Sequence, residues 1–385
     1  MRFADNRNKI EKYIPAVVFL IFIYGMALWF IFSPKPDYSS SEKRYLQKFP
    51  EVTAEKLLSG EFGSEFETFF ADRFPQRNTW VGLNAYTALA EGNNGASGVY
   101  NCKNGYLINK PVSTENNLDK NIGAVADFAK SIDTPTTVML VPSTGYIVDD
   151  VLPTFHDKYN DDEGISKISS TLSKDKIGFV DLRERFKSEY KNGSQLYYKT
   201  DHHWTTKGAY TGYQELCKAL GITPIDDSIL KKDSYPDFYG TTYSSSGFWL
   251  TPPDNIEIWN NPKNSDRNIS VKITEGANIK TSGSMYFTDH LKEDDKYPVF
   301  IDGNHALTEI TNSNAKNGTI LLIKDSFSHS LAPFLAENYS KVVLVDLRYY
   351  KESVSDLVTT YNPEQVVVLY GIDNLATDTD IVWLK

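Results

Sequence analysis

Five short segments of the chain carry near-continuous runs of Val, Ile and Leu: TTVMLVP (Thr136–Pro142), IGFVDL (Ile177–Leu182), GTILLIKDS (Gly318–Ser326), KVVLVDLR (Lys341–Arg348) and EQVVVLYG (Glu364–Gly371). A strand with one wet face alternates apolar and polar residues, whereas a strand covered on both faces stays apolar throughout. Stretches with helical spacing lie near Leu118–Lys130, Glu163–Lys174, Thr206–Leu220 and Ser328–Asn338. Buried strands alternating with helices define an α/β fold, a three-layer α/β/α sandwich around a mainly parallel sheet. The chain has 385 residues, 41% of them hydrophobic, enough for one large or two modest globular units.

Between the second and third runs, Ile222 to about Asn317 is rich in Ser, Thr, Asn, Asp and Pro, and reads as an insertion of short antiparallel strands and loops. Near the other end, Ile14–Phe32 is 19 residues without a formal charge, close to the roughly 20 that a helix needs to cross a bilayer. Arg2, Arg7, Lys9 and Lys12 precede it against Asp5 and Glu11, so the positive-inside rule places the N-terminus in the cytoplasm. A cleaved signal peptide is the competing reading, but its apolar region is shorter, roughly 7 to 15 residues, and ends at small residues. The expected organisation is a cytoplasmic tail (1–13), a single transmembrane anchor (14–32), a Pro/Ser-rich tether (33–42) and an extracytoplasmic domain (43–385) that contains the insertion, about 222–317. Helical spacing with a break at Pro75 marks Phe62–Leu89 as amphipathic helices.

The net charge of -10 argues against a nucleic-acid partner. Cys102 and Cys217 are compatible with a disulfide or with two thiols, and no Cys/His cluster builds a structural zinc site.

In a parallel sheet, ligands bind where loops leave the C-terminal ends of the strands. Ser326 stands at such a point, between a buried strand and a helix, where its own backbone N–H is placed to meet an oxyanion. Taken alone, an Asp-Ser after a strand is more often a plain helix cap. The segment TDHHW (Thr200–Trp204) adds the missing partners. In an extended segment residues two apart share a side, so Asp201 and His203 can meet while His202 faces away. A carboxylate on one imidazole nitrogen fixes the tautomer, leaving the other nitrogen to take a proton from a serine. A mononuclear metal site is disfavoured because adjacent histidines diverge in a strand, and a histidine satisfied in a polar core is the remaining alternative. No metal or cofactor is expected.

Several motifs recur in one order: ExRxLxxxP (Glu42–Pro50), DRFPQR (Asp72–Arg77), NGYLI (Asn104–Ile108), VPS (Val141–Ser143), TDHHW, KDSFS (Lys324–Ser328) and DLRYY (Asp346–Tyr350). Together they resemble the DHHW family, which is similar to alginate O-acetyltransferase proteins with an SGNH-hydrolase-like domain. The resemblance implies Ser326 as nucleophile, His203 as general base and Asp201 as the orienting carboxylate, with Arg348 as a residue that binds substrate or stabilises charge. It implies a membrane-anchored O-acyltransferase, of O-acetyl type, that modifies a cell-surface polysaccharide through a serine acyl-enzyme and takes its acyl group from a multi-span membrane acyltransferase. The alternatives are a carbohydrate esterase with the same triad and a non-catalytic envelope scaffold that binds polysaccharide. One departure stands out. Lys324-Asp325-Ser326 replaces the Gly-Asp-Ser turn of SGNH hydrolases, and the partners of the oxyanion hole are unplaced, with Tyr243, Ser244 and Asn374 as side-chain candidates.

Overall fold

The computed structural model describes residues 2–39, 41–112 and 117–384. The chain forms two compact units, Met1–Thr87 and Ala88–Lys385.

The first unit opens with helix α1 (Arg2–Phe32). Its part from Tyr13 to Phe32 is 20 residues long and apolar enough to cross a membrane. Three shorter helices follow: α2 (Ala54–Ser59), α3 (Glu61–Asp72) and α4 (Arg77–Ala90), the last running across the boundary between the units. The Thr53 side chain caps α2 by accepting from the Lys56 N–H, and Gly60 ends it at a φ of 82°, a conformation glycine adopts without a Cβ penalty. The motifs ExRxLxxxP and DRFPQR meet in one charge network. Arg44 forks onto the Asp72 carboxylate at 2.9 and 2.5 Å, the Gln47 N–H donates to the same carboxylate at 2.9 Å, and Arg77 pairs with Glu42.

The second unit is built on one eight-stranded sheet. Its strands in chain order are β1 (Thr136–Val141), β2 (Gly178–Asp181), β3 (Ile269–Glu275), β4 (Asn278–Ser282), β5 (Leu307–Asn312), β6 (Asn317–Lys324), β7 (Tyr339–Val345) and β8 (Gln365–Gly371). Across the sheet they run β4-β3-β5-β7-β6-β8-β1-β2. The five strands from β7 to β2 are parallel, and these are the five apolar runs. The last strand in the chain, β8, lies between β6 and β1 and joins the halves of the sheet.

Alternate residues of each parallel strand enter opposite cores. Met139, Ile320, Leu322, Val342 and Val367 face α7 (Arg183–Lys191), α8 (Thr206–Leu220) and α9 (Ser328–Leu335), while Val138, Leu321, Ile323, Val343 and Val368 face α5 (Asn117–Ser131), α6 (Asp161–Lys174), α10 (Val354–Tyr361) and α11 (Ile372–Thr377). This is the expected three-layer sandwich. Helix α8 has the predicted bounds, capped by Thr205 and closed by Gly221 at a φ of 70°.

The segment expected to interrupt the sheet instead enlarges it. Strands β3, β4 and β5 come from it and add three antiparallel strands beyond β7. The rest of the segment pairs Lys231–Phe238 with Asp254–Asn260 and packs Phe238, Ile256, Tyr297 and Phe300 around Tyr198. Cys102 and Cys217 are buried free thiols, each pushed up to about 12 by burial.

Candidate active site

Strand β6 ends at Lys324, α9 begins at Ser328, and the turn between them is held by the carboxylate of Asp325. That buried carboxylate accepts from the Phe327 N–H at 2.9 Å, the Gly371 N–H at 2.7 Å and the Asn374 side-chain amide at 2.7 Å. The bonds tie the turn to the end of β8 and the start of α11. They leave the Ser326 hydroxyl at the C-terminal edge of the sheet, with its backbone N–H unpartnered among the described residues.

The Asp-His pair arises differently from the strand geometry expected. Tyr197 bridges Trp204, and the Tyr198 N–H donates to the His203 carbonyl at 3.2 Å, so the residues between them form a tight turn. Asp201 Oδ1 accepts the backbone N–H of His203 at 2.8 Å and contacts His203 Nδ1 at 2.5 Å. An Asx turn, in which a side chain closes its own backbone loop, brings the carboxylate to the ring. Asp201 Oδ2 accepts the Thr241 N–H at 2.7 Å and its hydroxyl at 3.2 Å. With Nδ1–H donated to Asp201, Nε2 turns its lone pair toward Ser326 Oγ, 2.7 Å away. Asp201 is 2% exposed, His203 4% and Ser326 8%, so the three groups are almost dry.

His202 does not face away. Its ring lies 3.8 Å from that of His203, its Nδ1 is 2.5 Å from Thr241 Oγ1, and it lines the cavity beside the triad. Asp201, His202 and His203 thus offer metal-ligating atoms within 4.8 Å of one another, against the divergence expected of a strand. Both ring nitrogens of His203 and both oxygens of Asp201 are engaged in hydrogen bonds, so a metal here would have to break the Asp-His-Ser chain.

Two aromatic residues lock the site. Trp204 Nε1 donates to the Phe327 carbonyl at 3.0 Å and to Ser330 Oγ at 2.9 Å, fastening the histidine turn to the helix that follows the serine. Tyr297 stacks on the His203 ring at 3.9 Å and 10°, and its hydroxyl donates to the Ser326 carbonyl at 3.2 Å. It comes from the insertion, 29 residues before Ser326 in the chain, and no local pattern marks it.

Arg348 lies apart from this chain of bonds. Its guanidinium forks onto Asp346 at 2.9 and 2.6 Å and donates to Asn304 at 2.8 Å. It lines a cavity of about 230 Å³ together with Asp325 and Asn374. The smaller cavity beside the triad, about 60 Å³, is lined by Ser143, Thr144, His202, Phe327, Gly371 and Asn374. Asn374 therefore borders both. Tyr243 and Ser244 spend their hydroxyls on the Trp249 and Gly240 carbonyls. Behind the turn, Lys324 is 1% exposed and bonds Asp346 at 2.9 Å and His329 Nε2 at 2.8 Å. Burial, then the Lys324 charge, holds His329 well below the usual imidazole range, so its ring is neutral. Burial would raise Asp346, but Arg348 and Lys324 outweigh it and keep the carboxyl low.

An α/β/α sandwich with a buried Asp-His-Ser chain at the C-terminal edge of its parallel strands defines a class, the serine-centred α/β proteins of SGNH-like type. Within it the chain belongs to the DHHW family, whose model, described as DHHW protein, matches residues 109–345, more than half of the sequence. Among solved structures it is similar to a DHHW family protein from Eubacterium siraeum, with a TM-score of 0.62 and 17% identity, covering 74% of this chain and 94% of that one. Bacillus cereus PatB1, solved with a sulfonyl adduct, also has a TM-score of 0.62, at 21% identity over 74% of this chain and 97% of that one. The O-acetyltransferase domain of Pseudomonas putida AlgJ reaches 0.49 at 14% identity, over 75% and 95% of the two chains. None of the curated proteins compared with the chain matches it.

Proposed function

We propose that the chain is a membrane-anchored, extracytoplasmic O-acyltransferase that moves an acetyl group to a hydroxyl of a cell-surface polysaccharide. The observation that carries this reading is the continuous chain of bonds from Asp201 through His203 to Ser326. Ser326 Oγ attacks the acyl carbon as its proton passes to His203 Nε2, and Asp201 stabilises the imidazolium. The tetrahedral oxyanion meets the Ser326 N–H, and the leaving group takes the proton from His203. A sugar hydroxyl then gives its proton to His203 and attacks the acyl-serine, which restores the free serine. Arg348, on the cavity that shares Asp325 and Asn374 with the nucleophile's turn, would bind substrate or stabilise charge. Helix α1 would hold the chain in the membrane with its N-terminus in the cytoplasm, and a multi-span membrane acyltransferase would supply the acyl group, since acetyl-coenzyme A is confined to the cytoplasm.

The test uses small acetyl esters and a sulfonyl fluoride, with the purified full chain. Turnover and covalent labelling of the wild type, both lost in Ser326→Ala, with turnover reduced at least about 100-fold in His203→Ala, would support the reading. Equal turnover in all three proteins would refute it. With an oligosaccharide present, mass spectrometry separates transfer, which yields an acetylated sugar, from hydrolysis, which yields acetate.

A further inference from the structure

The first unit has almost no core of its own. Among its described residues no Phe, Trp, Tyr, Ile or Val is buried, and Leu46 is the one buried Leu. Helix α3 carries apolar residues at helical spacing, yet its single buried residue is Asp72. At about 100° per residue, Phe62, Phe66, Phe69 and Phe70 fall within an arc of about 100°, the width of a stripe that normally faces a core. Ser64, Glu67 and Thr68 lie outside that arc. Phe66 is 39% exposed and Phe70 42%, and Phe49, packed edge-on against the stripe, is 58% exposed. Glu61 and Glu65, beside the stripe, both pair with Lys56, at 3.2 and 2.8 Å.

The level of the stripe is set by the membrane-crossing helix. Phe30, two residues before the end of α1, has its ring 6.2 Å from that of Phe69 and 4.7 Å from that of Phe70. At a rise of about 1.5 Å per residue, the Phe30 position is only about 3 Å inside the end of the span, next to Trp29, a residue type that favours the lipid–water boundary. From there the rings continue along α3, Phe69 to Phe66 at 6.3 Å and Phe66 to Phe62 at 6.1 Å. Hydrogen bonds hold the C-terminal end of α3 at this level. Arg73, the residue after the helix, is 6% exposed; it donates to the Pro36 carbonyl at 2.6 Å and the Gln47 carbonyl at 2.9 Å, and pairs with Asp37 at 3.2 Å. Together with the fork of Arg44 on Asp72, these bonds tie α3 to the residues that leave the span. The proposed reaction gives the two motifs that supply them no other task.

A run of rings that begins on a membrane span, and that the described residues leave open, meets the material in which the span itself sits. We propose that the Phe face of α3 lies in the interfacial layer of the outer leaflet, a shelf beside the anchor on which the first unit rests. The inference rests on the reading of α1 as a membrane anchor. Charge does not drive the contact, because five basic residues stand against six acidic ones between Lys43 and Arg73. Burial of the rings does, so neutral lipid suffices. A helix of 12 residues gives a reversible contact, and the span remains the anchor.

For the experiment, the full chain is reconstituted in vesicles of neutral phosphatidylcholine, with nitroxide labels attached in Phe66→Cys, Phe70→Cys, Thr68→Cys and Phe22→Cys. The native thiols, Cys102 and Cys217, are buried and leave a low background. Collisions with oxygen, which concentrates in lipid, and with a nickel chelate, which stays in water, report what surrounds each label. We expect the labels at positions 66 and 70 to meet oxygen freely and to meet the chelate at least about tenfold less often than the label at 68, in line with the preference of an apolar side chain for apolar surroundings. Either position serves if the other disturbs the fold. Chelate access at 66 and 70 equal to that at 68, with the label at 22 in lipid, overturns the proposal and leaves the anchor standing. Poor access of both reagents at 66 and 70 means that protein covers the stripe, a second copy or a membrane partner, and overturns it as well. A label at 22 that meets the chelate refutes the anchor, and the shelf falls with it.

Discussion

Lys324 stands where SGNH hydrolases have glycine, and the structure gives its side chain a place: under the Ser326 turn, fully buried between Asp346 and His329. Taking away one member of a buried ion pair leaves the other charge uncompensated, at about 3 to 5 kcal/mol. Arg348 still pairs with Asp346, so Lys324→Met should cost about 3 kcal/mol, near the lower end of that range. Urea unfolding measures this, and a loss under about 1 kcal/mol would show that the lysine is dispensable. Asp161 is another buried charge. It accepts the Ser143 N–H at 2.7 Å, and burial, then the nearby Asp373 carboxylate, pushes it up to about 7 from an ordinary value of 3.8. Asp373 is itself pushed up to about 6 by burial. The folded state holds these protons more tightly than the unfolded chain, so their contribution to stability is complete below pH 4 and drains away as pH rises through the folded values. Stability should fall between about pH 4 and 7, by at most about 1.4 kcal/mol per pH unit for each group. Asp161→Asn keeps an acceptor for Ser143 and removes the titration, so its stability profile should be flatter by thermal melts at stepped pH.

Elements explain what single residues do not. The Asp201 turn fits against Gly240, where an added Cβ would lie 2.1 Å from Asp201 Cβ and 2.4 Å from its Oδ2. Gly240→Ala must therefore move the carboxylate, and a misplacement of this size can cost about 100-fold in rate. The expected outcome is an ester turnover down roughly 100-fold with a circular dichroism spectrum like that of the wild type. Unchanged turnover would show that the turn yields at no cost. This packing also marks what could be read from the sequence. The five parallel strands were legible because burial on both faces leaves a local signature, and so were Asp201, His203 and Ser326, because their residue types and places in the chain are chemically restrictive. The turn that joins Asp201 to His203 was not, since a closed loop and a strand both put residues two apart on one side. Tyr297, Thr241 and the indole bond of Trp204 were hidden for another reason. Each acts across long sequence separations, 123 residues in the case of Trp204 and Phe327, and nothing in a local window encodes the partner. Likewise, β3 to β5 read as loops and short strands because antiparallel strands with one wet face carry polar residues on it.

At the scale of the whole molecule, α1 sets the expectation of location. The full chain should fractionate with membranes and resist extraction by high salt and carbonate, while a chain lacking residues 1–33 should appear in the soluble fraction. Solubility of the full chain without detergent would exclude an anchor. The strand order carries a different consequence, one about time. A ribosome makes β1 and β6 long before β8, yet β8 alone bridges them, and its Gly371 N–H grips the Asp325 turn. Until the final segment arrives, the growing chain has two raw strand edges, and the Asp325 turn lacks its bonds to Leu369 and Gly371. It is prone to cling to its neighbours at that stage, and the turn that carries Ser326 is not yet tied to the far half of the sheet, so the edges and the candidate site are both completed only when synthesis is nearly finished.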